Sequence, residues 1–382
     1  MSGGVDSSVT ARLLADQDYD LSAVFMRNWD TRDESGTDKG CEWEKDWEDV
    51  QRVCKMLDLP CKMVDLSREY WTRVFEPSLE LWERGETPNP DVWCNRLACR
   101  EVKFGALLDR VAPDTQWLAT GHYARKEWTQ SLTPASNQSS ELYSMRIRPQ
   151  LLRAADRRKD QTYYLSSIKE ASLRKALFPL GDLTKVEVRA MAKQYSLPTA
   201  EREESMGICF VGEKHKFNEF LSQYVPPKPG EIIDFDTDQV LGQHQGLWNY
   251  TIGQRTKIGG LPNKTFVADK DVAKNIVYVV QGGDHPALYR NRMNVRDFEW
   301  IWPDSPPLAV FDHINGFKTR LKHRHMMETV PATMVRLDDK RMTISLDQPE
   351  KGIAPGQTVS VYHGDWCMGC GVVEIAYQGD PF

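Results

Sequence analysis

Met1-Ser2-Gly3-Gly4-Val5-Asp6-Ser7-Ser8 opens the chain and decides its fold. Two adjacent glycines let the backbone turn tightly and approach a ligand with no Cβ in the way. From Ser7 to Asp16 the apolar positions recur at helical spacing, so the turn runs straight into a helix N-terminus. Unpaired N–H groups and the positive end of the helix dipole favour a bound anion there. The plain alternative is a glycine turn ahead of an N-capped helix. No Gly-Lys-Ser/Thr follows, which excludes the other common nucleotide loop.

Outward from this loop, Leu21 to Met26 reads as a buried strand, and Glu42 to Leu57 as an amphipathic helix with Trp43, Trp47, Val50, Val53 and Leu57 on one side. Cys61 to Leu66 is the next strand, Ser67 begins another helix, and Trp117 to Thr120 is a short buried strand ending at Gly121-His122. Strands alternating with helices predict a parallel sheet whose ligands bind at the carboxyl ends of the strands. The opening loop, Met26 and Gly121-His122 all fall at such ends. Gln130 to Ser140 is polar and reads as a surface insertion, and Leu183 to Tyr195 as a closing helix. Pro226-Pro227-Lys228-Pro229-Gly230 is a stiff punctuation. After Pro286 short strands separated by turn signals predict a small antiparallel barrel.

With 382 residues the chain is long enough for two or three domains, and no apolar run approaches membrane-spanning length. A net charge of −6 argues against binding nucleic acid by bulk positive charge, and leaves room for local basic patches. Eight irregularly spaced cysteines suggest a reducing compartment with a few working thiols. Cys94 lies in the rigid loop Thr87-Pro88-Asn89-Pro90-Asp91-Val92-Trp93-Cys94-Asn95, where a buried structural cysteine is the plain alternative. Cys209 lies in Glu204-Ser205-Met206-Gly207-Ile208-Cys209-Phe210-Val211-Gly212, which could equally be a packed strand. Cys367-Met368-Gly369-Cys370 supplies only two metal ligands with no second pair, so no metal is expected there. Cys41, Cys54, Cys61 and Cys99 read as structural or incidental.

The opening octapeptide resembles the PP-loop of the ATP pyrophosphatases, which split ATP between the α- and β-phosphates. Together with Thr87–Asn95 and Glu204–Gly212 it resembles the tRNA-specific 2-thiouridylases, which replace the C2 oxygen of the wobble uridine with sulfur. Further matching strings are Phe25-Met26-Arg27-Asn28-Trp29, Ala119-Thr120-Gly121-His122-Tyr123, Lys159-Asp160-Gln161-Thr162-Tyr163-Tyr164-Leu165, Asn249-Tyr250-Thr251-Ile252-Gly253-Gln254-Arg255 and Ala354-Pro355-Gly356-Gln357. The resemblance implies an α/β fold: a parallel-sheet PP-loop domain over 1–212, a small central domain over 213–286 and a C-terminal antiparallel β-barrel over 287–382. It implies an enzyme that adenylates the uridine C2 oxygen with ATP and Mg²⁺ and takes sulfur from a donor protein that carries a persulfide. On the matching positions, Cys209 bears the persulfide, Cys94 attacks it to leave a Cys94–Cys209 disulfide, and Asp91 acts as general acid or base.

The same resemblance assigns Met1, Ser2, Gly3, Gly4, Val5, Asp6, Ser7, Ser8, Met26 and Gly121 to the nucleotide. It assigns Asn89, Pro90, Asp91, His122, Lys159, Asp160, Gln161, His323, Arg324 and Gln357 to tRNA. Arg146, Arg148, Arg153, Arg157, Arg158 and Lys159 form one basic cluster in sequence, and Lys318, Arg320, Lys322, His323, Arg324 and His325 another. DNA and membranes are not expected partners.

The chain departs from the family pattern in three places. The family carries an apolar strand ahead of the loop, and none precedes it here. That strand would be central to the sheet, so either the chain is part of a longer one or the fold fills the gap otherwise. About four extra residues, near Arg96-Leu97-Ala98-Cys99, separate Cys94-Asn95 from Val102-Lys103-Phe104. The polar insertion after Gln130 favours a mitochondrial member, with the bacterial cytoplasm as the alternative. The competing functions are another PP-loop ligase or amidotransferase, which needs no thiols, and an inactive tRNA-binding protein.

Overall fold

The computed structural model describes residues 1–29, 42–111, 115–134, 143–203, 217–256, 258 and 263–379. The chain divides into two compact units, one of 1–75, 94–213 and 365–368, the other of 76–93, 214–364 and 369–382.

The first unit is built on helix α1 (Val5–Ala15), strand β1 (Ala23–Arg27), helix α2 (Glu42–Met56) and strand β2 (Cys61–Asp65). β1 and β2 pair in parallel with Ala23 opposite Cys61 and Arg27 opposite Asp65. The apolar stripe of α2 covers them: Val50 and Cys54 pack on Ala23 and Phe25, and the Phe25 and Trp47 rings lie 5.6 Å apart. Burying each large apolar side chain of this kind stabilises the fold by about 1.5–3 kcal/mol. A second parallel pair joins β3 (Leu118–Ala119), with the hairpin β4 (Ala124–Pro134) and β5 (Tyr143–Arg153) between them in sequence, to β6 (Ala176–Leu177). Among the described residues no strand but β2 pairs with β1, and none but β6 pairs with β3. Met1 touches β1, its amino group donating to the Val24 carbonyl.

Helix α3 (Lys185–Gln194) starts on a reciprocal capping box between Thr184 and Glu187 and packs Val188 and Ala192 against Val5 and Val9 of α1. The residues after Asp65 run as α-helix over Ser67–Tyr70 and π-helix over Trp71–Phe75. A longer π-helix, Ala98–Ala106, follows the helix Pro90–Leu97. The extra residues are thus absorbed by widening the helix to i→i+5 bonding rather than by a looped-out insertion.

In the second unit, β7 (Gly230–Asp234), β8 (Val240–His244), β9 (Arg255–Thr256), β10 (Thr265–Asp271) and β11 (Ile276–Gln281) form a sheet in the order β8-β7-β11-β10-β9. The strands β12 (Tyr289–Trp300), β13 (Phe317–Lys322), β14 (Val330–Arg336), β15 (Met342–Lys351), β16 (Thr358–His363) and β17 (Trp366–Tyr377) follow. Their order β12-β15-β14-β13-β16-β17 closes through β12–β17 into an antiparallel barrel of 6 strands, which bears out the expected barrel. Met293, Val295, Leu321, Met334, Ile344, Val361 and Val373 fill it.

Candidate active site

Gly3 takes φ +74°, and a Cβ on it would stand 2.6 Å from the Asp46 carbonyl oxygen, so only glycine fits this turn. Gly4 is the extended N-cap residue of α1 and offers no side chain to cap the first turn. The serine hydroxyls serve the loop itself: Ser7 and Ser8 Oγ donate to the Gly4 carbonyl at 3.1 and 2.9 Å, and Ser2 N–H donates to Ser7 Oγ at 3.2 Å. The helix N-terminus therefore keeps its positive end for an external anion.

Asp6 would oppose that anion, but its charge is matched. Lys185 Nζ lies 2.7 and 2.8 Å from its two carboxylate oxygens, and Tyr123 Oη donates to Oδ1 at 2.9 Å. Arg202 reaches back to the loop, donating to the Gly3 carbonyl at 3.0 Å while pairing with Asp46 and Asp49 of α2. Burial raises the Asp46 carboxyl, and the Arg202 guanidinium pulls it back down. Gly121 closes the loop from the other side, because a Cβ there would sit 3.0 Å from the backbone of Asp6 and Ser7. Met26 lies at the carboxyl end of β1, as expected. Among the described residues no group of three or more His, Cys, Asp or Glu could hold a metal. A magnesium ion here would depend on the nucleotide's phosphates and one or two carboxylates, of which Asp6 is the one in the loop.

The motif around Cys94 begins with a cap. Val92 N–H donates to Asn89 Oδ1 at 3.3 Å and Trp93 N–H to the Asn89 carbonyl at 2.8 Å, with Pro90 as first helical residue. Asp91 lies in that first turn, half-buried, and Cys94 is buried. The thiol beside His122 is another one: Cys99 Sγ lies 3.5 Å from His122 Nε2, and Thr120 Oγ1 holds His122 Nδ1 at 2.9 Å. Desolvation, then the nearby Lys103 ammonium, holds the imidazole well below its ordinary range, while burial pushes the Cys99 thiol up. Both groups are neutral at rest, a thiol facing a base. Cys209 lies outside the described residues. Cys367 and Cys370 are buried on β17, where a spacing of three puts their side chains on opposite faces.

Several residues expected at the RNA are spent on the fold. Asp160, 2 % exposed, accepts from Ala154 N–H at 3.2 Å and Thr162 Oγ1 at 3.0 Å and pairs with Arg153 at 3.4 Å, so its carboxylate is engaged within the fold. Lys159 beside it is half-buried, and Gln161 Oε1 accepts from Tyr123 N–H at 3.0 Å. Of the first basic cluster, Arg148 is buried against Glu170 (Nε–Oε1 3.1 Å), Arg157 pairs at the surface with Asp365 at 2.7 Å, and Arg146 and Arg158 are exposed as well. His323 is buried with Glu350 3.7 Å away, while Arg324 is exposed and 3.4 Å from the same Glu350. Gln357 is 8 % exposed, and its amide bonds Ala354 N–H at 3.1 Å and the Gly352 carbonyl at 3.4 Å.

The turn that Gln357 braces holds the base of the Asn89 loop. Thr87 N–H donates to the Pro355 carbonyl at 3.1 Å, and Gly356, at φ +88°, passes so close that a Cβ would lie 3.1 Å from both Thr87 N and Pro88 N. Arg296 pairs with Glu86 at 2.8 Å and Lys270 Nζ donates to the Gly85 carbonyl. Sequence reasoning missed Lys185, Arg202, Arg296 and the Cys99–His122 pair. Thr184-Lys185-Val186-Glu187 is a capping-box string, and it marks Lys185 as the first residue of a helix.

Three family descriptions match the chain in order. The tRNA methyl transferase HUP domain covers residues 1–213, the tRNA methyl transferase PRC-barrel domain 218–281 and the aminomethyltransferase beta-barrel domain 290–373. The tRNA-specific 2-thiouridylase MnmA of Chlamydia pneumoniae is 40% identical over 379 residues, 98% of this chain and 96% of the relative. That of Levilactobacillus brevis is 40% identical over 385 residues, 99% of this chain and 95% of the relative. The Staphylococcus aureus protein of the same name is 38% identical over 383 residues, covering 100% and 95%.

Proposed function

The chain belongs to the tRNA-specific 2-thiouridylase family, and from that premise we propose that it replaces the C2 oxygen of the tRNA wobble uridine with sulfur at the expense of ATP. The observation that carries this reading is the uncapped start of α1, with Asp6 neutralised by Lys185 and the loop closed by Gly121. It is suited to a nucleotide's phosphates.

The uridine C2 oxygen attacks the α-phosphate of ATP and pyrophosphate leaves. AMP on that oxygen turns a poor leaving group into a good one. The loop amides take up charge developing on the phosphate, and Mg²⁺, which the phosphates and Asp6 would hold, would supply further neutralisation. Sulfur arrives as a persulfide on Cys209, delivered by a donor protein. A thiol of the Pro90–Ala106 helical stretch, Cys94 by the motif, releases it as hydrosulfide, which attacks C2 and expels AMP. Asp91 at the helix start serves as acid or base toward the flipped base, and the motif also assigns Asn89, Pro90 and His122 to the RNA. Lys159, Gln161, Arg324 and the exposed Arg146 and Arg158 are the remaining groups for RNA phosphates.

The HUP family's description speaks of methyl transfer, which has no use for an adenylating loop or a persulfide. The loop and the thiols favour thiolation. Domain boundaries at 212 and 286 remain our proposal. The polar insertion supports a mitochondrial location, and the bacterial relatives support the cytoplasmic alternative. No helix of the described residues is long and apolar enough to cross a membrane.

The test combines the purified chain, ATP, Mg²⁺, a persulfide donor and tRNA, with nucleoside mass spectrometry for 2-thiouridine. Wild type forms it and Cys209→Ser does not. tRNA binding without product in wild type would leave the inactive binder as the better description.

A further inference from the structure

We propose that Lys270 is a positioning residue for the loop assigned to the target base: it clamps the Gly85 carbonyl to the Tyr250 carbonyl and so sets where Asn89, Pro90 and Asp91 stand. The proposal rests on the thiolation reading above and names what holds that loop for the reaction.

The helix Glu76–Glu83 ends in a Schellman turn. Gly85, at φ +76°, donates its N–H to the Trp82 carbonyl at 2.9 Å, and Glu86 N–H donates to the Leu81 carbonyl at 3.0 Å. This turn uses the two amides and leaves the Gly85 carbonyl outside the helix's own bonds. Lys270 Nζ, reaching from β10, donates to that carbonyl and, at 3.0 Å, to the Tyr250 carbonyl as well. A Cβ on Gly85 would stand 3.1 Å from Leu247 Cδ1 and 3.2 Å from Val272 Cγ2, so the turn is packed where the lysine holds it.

The residues that follow are pinned in turn. Glu86 pairs with Arg296 of β12 at 2.8 and 3.1 Å, and Thr87 N–H donates to the Pro355 carbonyl at 3.1 Å. Pro88 and Pro90 then fix two backbone torsions on the way to the helix start. A shift at Gly85 is therefore carried to Asn89, which caps that helix through Val92 N–H, rather than absorbed between them.

The string Asn249–Arg255, which takes no part in the chemistry above, closes a ring around the loop base. Its Tyr250 carbonyl shares Lys270 with Gly85. Ile252 packs in one apolar cluster with Ala354, and Gly253, at φ +83°, lies so close to Gly352 that a Cβ would stand 2.9 Å from its Cα. Gly352 and Ala354 belong to the turn braced by Gln357, whose Pro355 carbonyl holds Thr87. The path from Gly85 through Lys270, the Asn249–Arg255 string and this turn thus returns to Thr87. Lys270 is the link that a substitution opens without touching the backbone. Opening it leaves Glu86 on Arg296 and Thr87 on Pro355, so the loop tilts and does not detach.

Methionine is close to lysine in length and lacks both donated hydrogens, whereas arginine keeps donors for two carbonyls. The test therefore compares the full chain with Lys270→Met and Lys270→Arg, given ATP, Mg²⁺, a persulfide donor and tRNA. Single-turnover thiolation at saturating ATP and tRNA should fall roughly tenfold or more in Lys270→Met while the KM for ATP holds, and Lys270→Arg should recover at least about a third of the rate. A Lys270→Met rate within about twofold of wild type overturns the proposal, and so does a KM for ATP that rises in step with the lost rate.

Hydrogen exchange needs no product and separates a failed clamp from a failed thiolation reading. In Lys270→Met the amides of Gly85–Trp93 should exchange at least about fivefold faster while those of Met1–Ala15 keep their rates. Native exchange over Gly85–Trp93 overturns the proposal. Lys270→Gln, with its N–H pair on a shorter stem, covers the case in which Lys270→Met does not fold: the same amides should quicken, and native exchange there again overturns it. If wild type forms no 2-thiouridine while Gly85–Trp93 alone quickens, the thiolation reading fails and the clamp stands.

Discussion

Lys185 Nζ sits 2.7 and 2.8 Å from the two carboxylate oxygens of Asp6, across 179 residues of sequence. The pair brings the first residue of α3 to the first turn of α1, where an unmatched carboxylate would repel the phosphates that the turn is built to receive. At ~8 Å and an effective dielectric of ~20, one uncancelled charge is worth on the order of 2 kcal/mol. Lys185→Met should therefore raise the KM for ATP by roughly tenfold or more, and Lys185→Arg should recover part of it. An unchanged KM in Lys185→Met would remove this role.

Gly121 tests the loop from the other side. Its Cβ position lies 3.0 Å from backbone atoms of Asp6 and Ser7, which cannot rotate away as a side chain could. Gly121→Ala should cost about 1–3 kcal/mol through overpacking, read as weakened ATP binding by calorimetry. Native ATP affinity in this variant would show that the contact is slack.

Gly356 is a positioning residue. Alanine at φ +88° costs about 1–2 kcal/mol, and its Cβ pushes on Thr87 N and Pro88 N. We expect Gly356→Ala to lower thiolation at saturating ATP at least tenfold while the KM for ATP holds. A fall in ATP affinity with full turnover would contradict this.

Lys270 gives the second unit a pH signature. Burial lowers its ammonium to about 7, against the raising effect of Glu86 and Asp269. The folded pKa lies below the unfolded value near 10.5, so the unfolded chain binds more protons between about 7 and 10.5. Stability from this group therefore rises with pH through that window, by at most about 1.4 kcal/mol per unit, and falls as pH drops toward 7. Urea midpoints at pH 7 to 9 should show a steeper rise in wild type than in Lys270→Met. Parallel slopes would assign the pH dependence elsewhere.

The parallel strands, α1 to α3 and most of the barrel were legible, because their apolar periodicity is local. β17 was not: Gly369 and Gly371 interrupt its pattern where neighbouring backbone comes close, a Cβ on Gly369 meeting the Glu299 carbonyl at 2.2 Å. The loop was legible as an anion site, but its charge balance was not, since Lys185 is distant in sequence. The basic clusters misled for the same reason. Arg148, Arg153 and Arg157 find their carboxylates in Glu170, Asp160 and Asp365, and counting nearby charges shows none of this. Cys99 passed as incidental because nothing in its neighbouring residues announces His122.

Adenylation of the base is the claim on which the rest depends, and the fate of one oxygen tests it most directly. An anticodon stem-loop carrying ¹⁸O at C2 of the wobble uridine is thiolated with ATP, Mg²⁺ and a persulfide donor, and the nucleotide products are weighed. The account predicts one AMP per 2-thiouridine, carrying the ¹⁸O label. Unlabelled AMP, or thiolation accompanied by ADP, would contradict it.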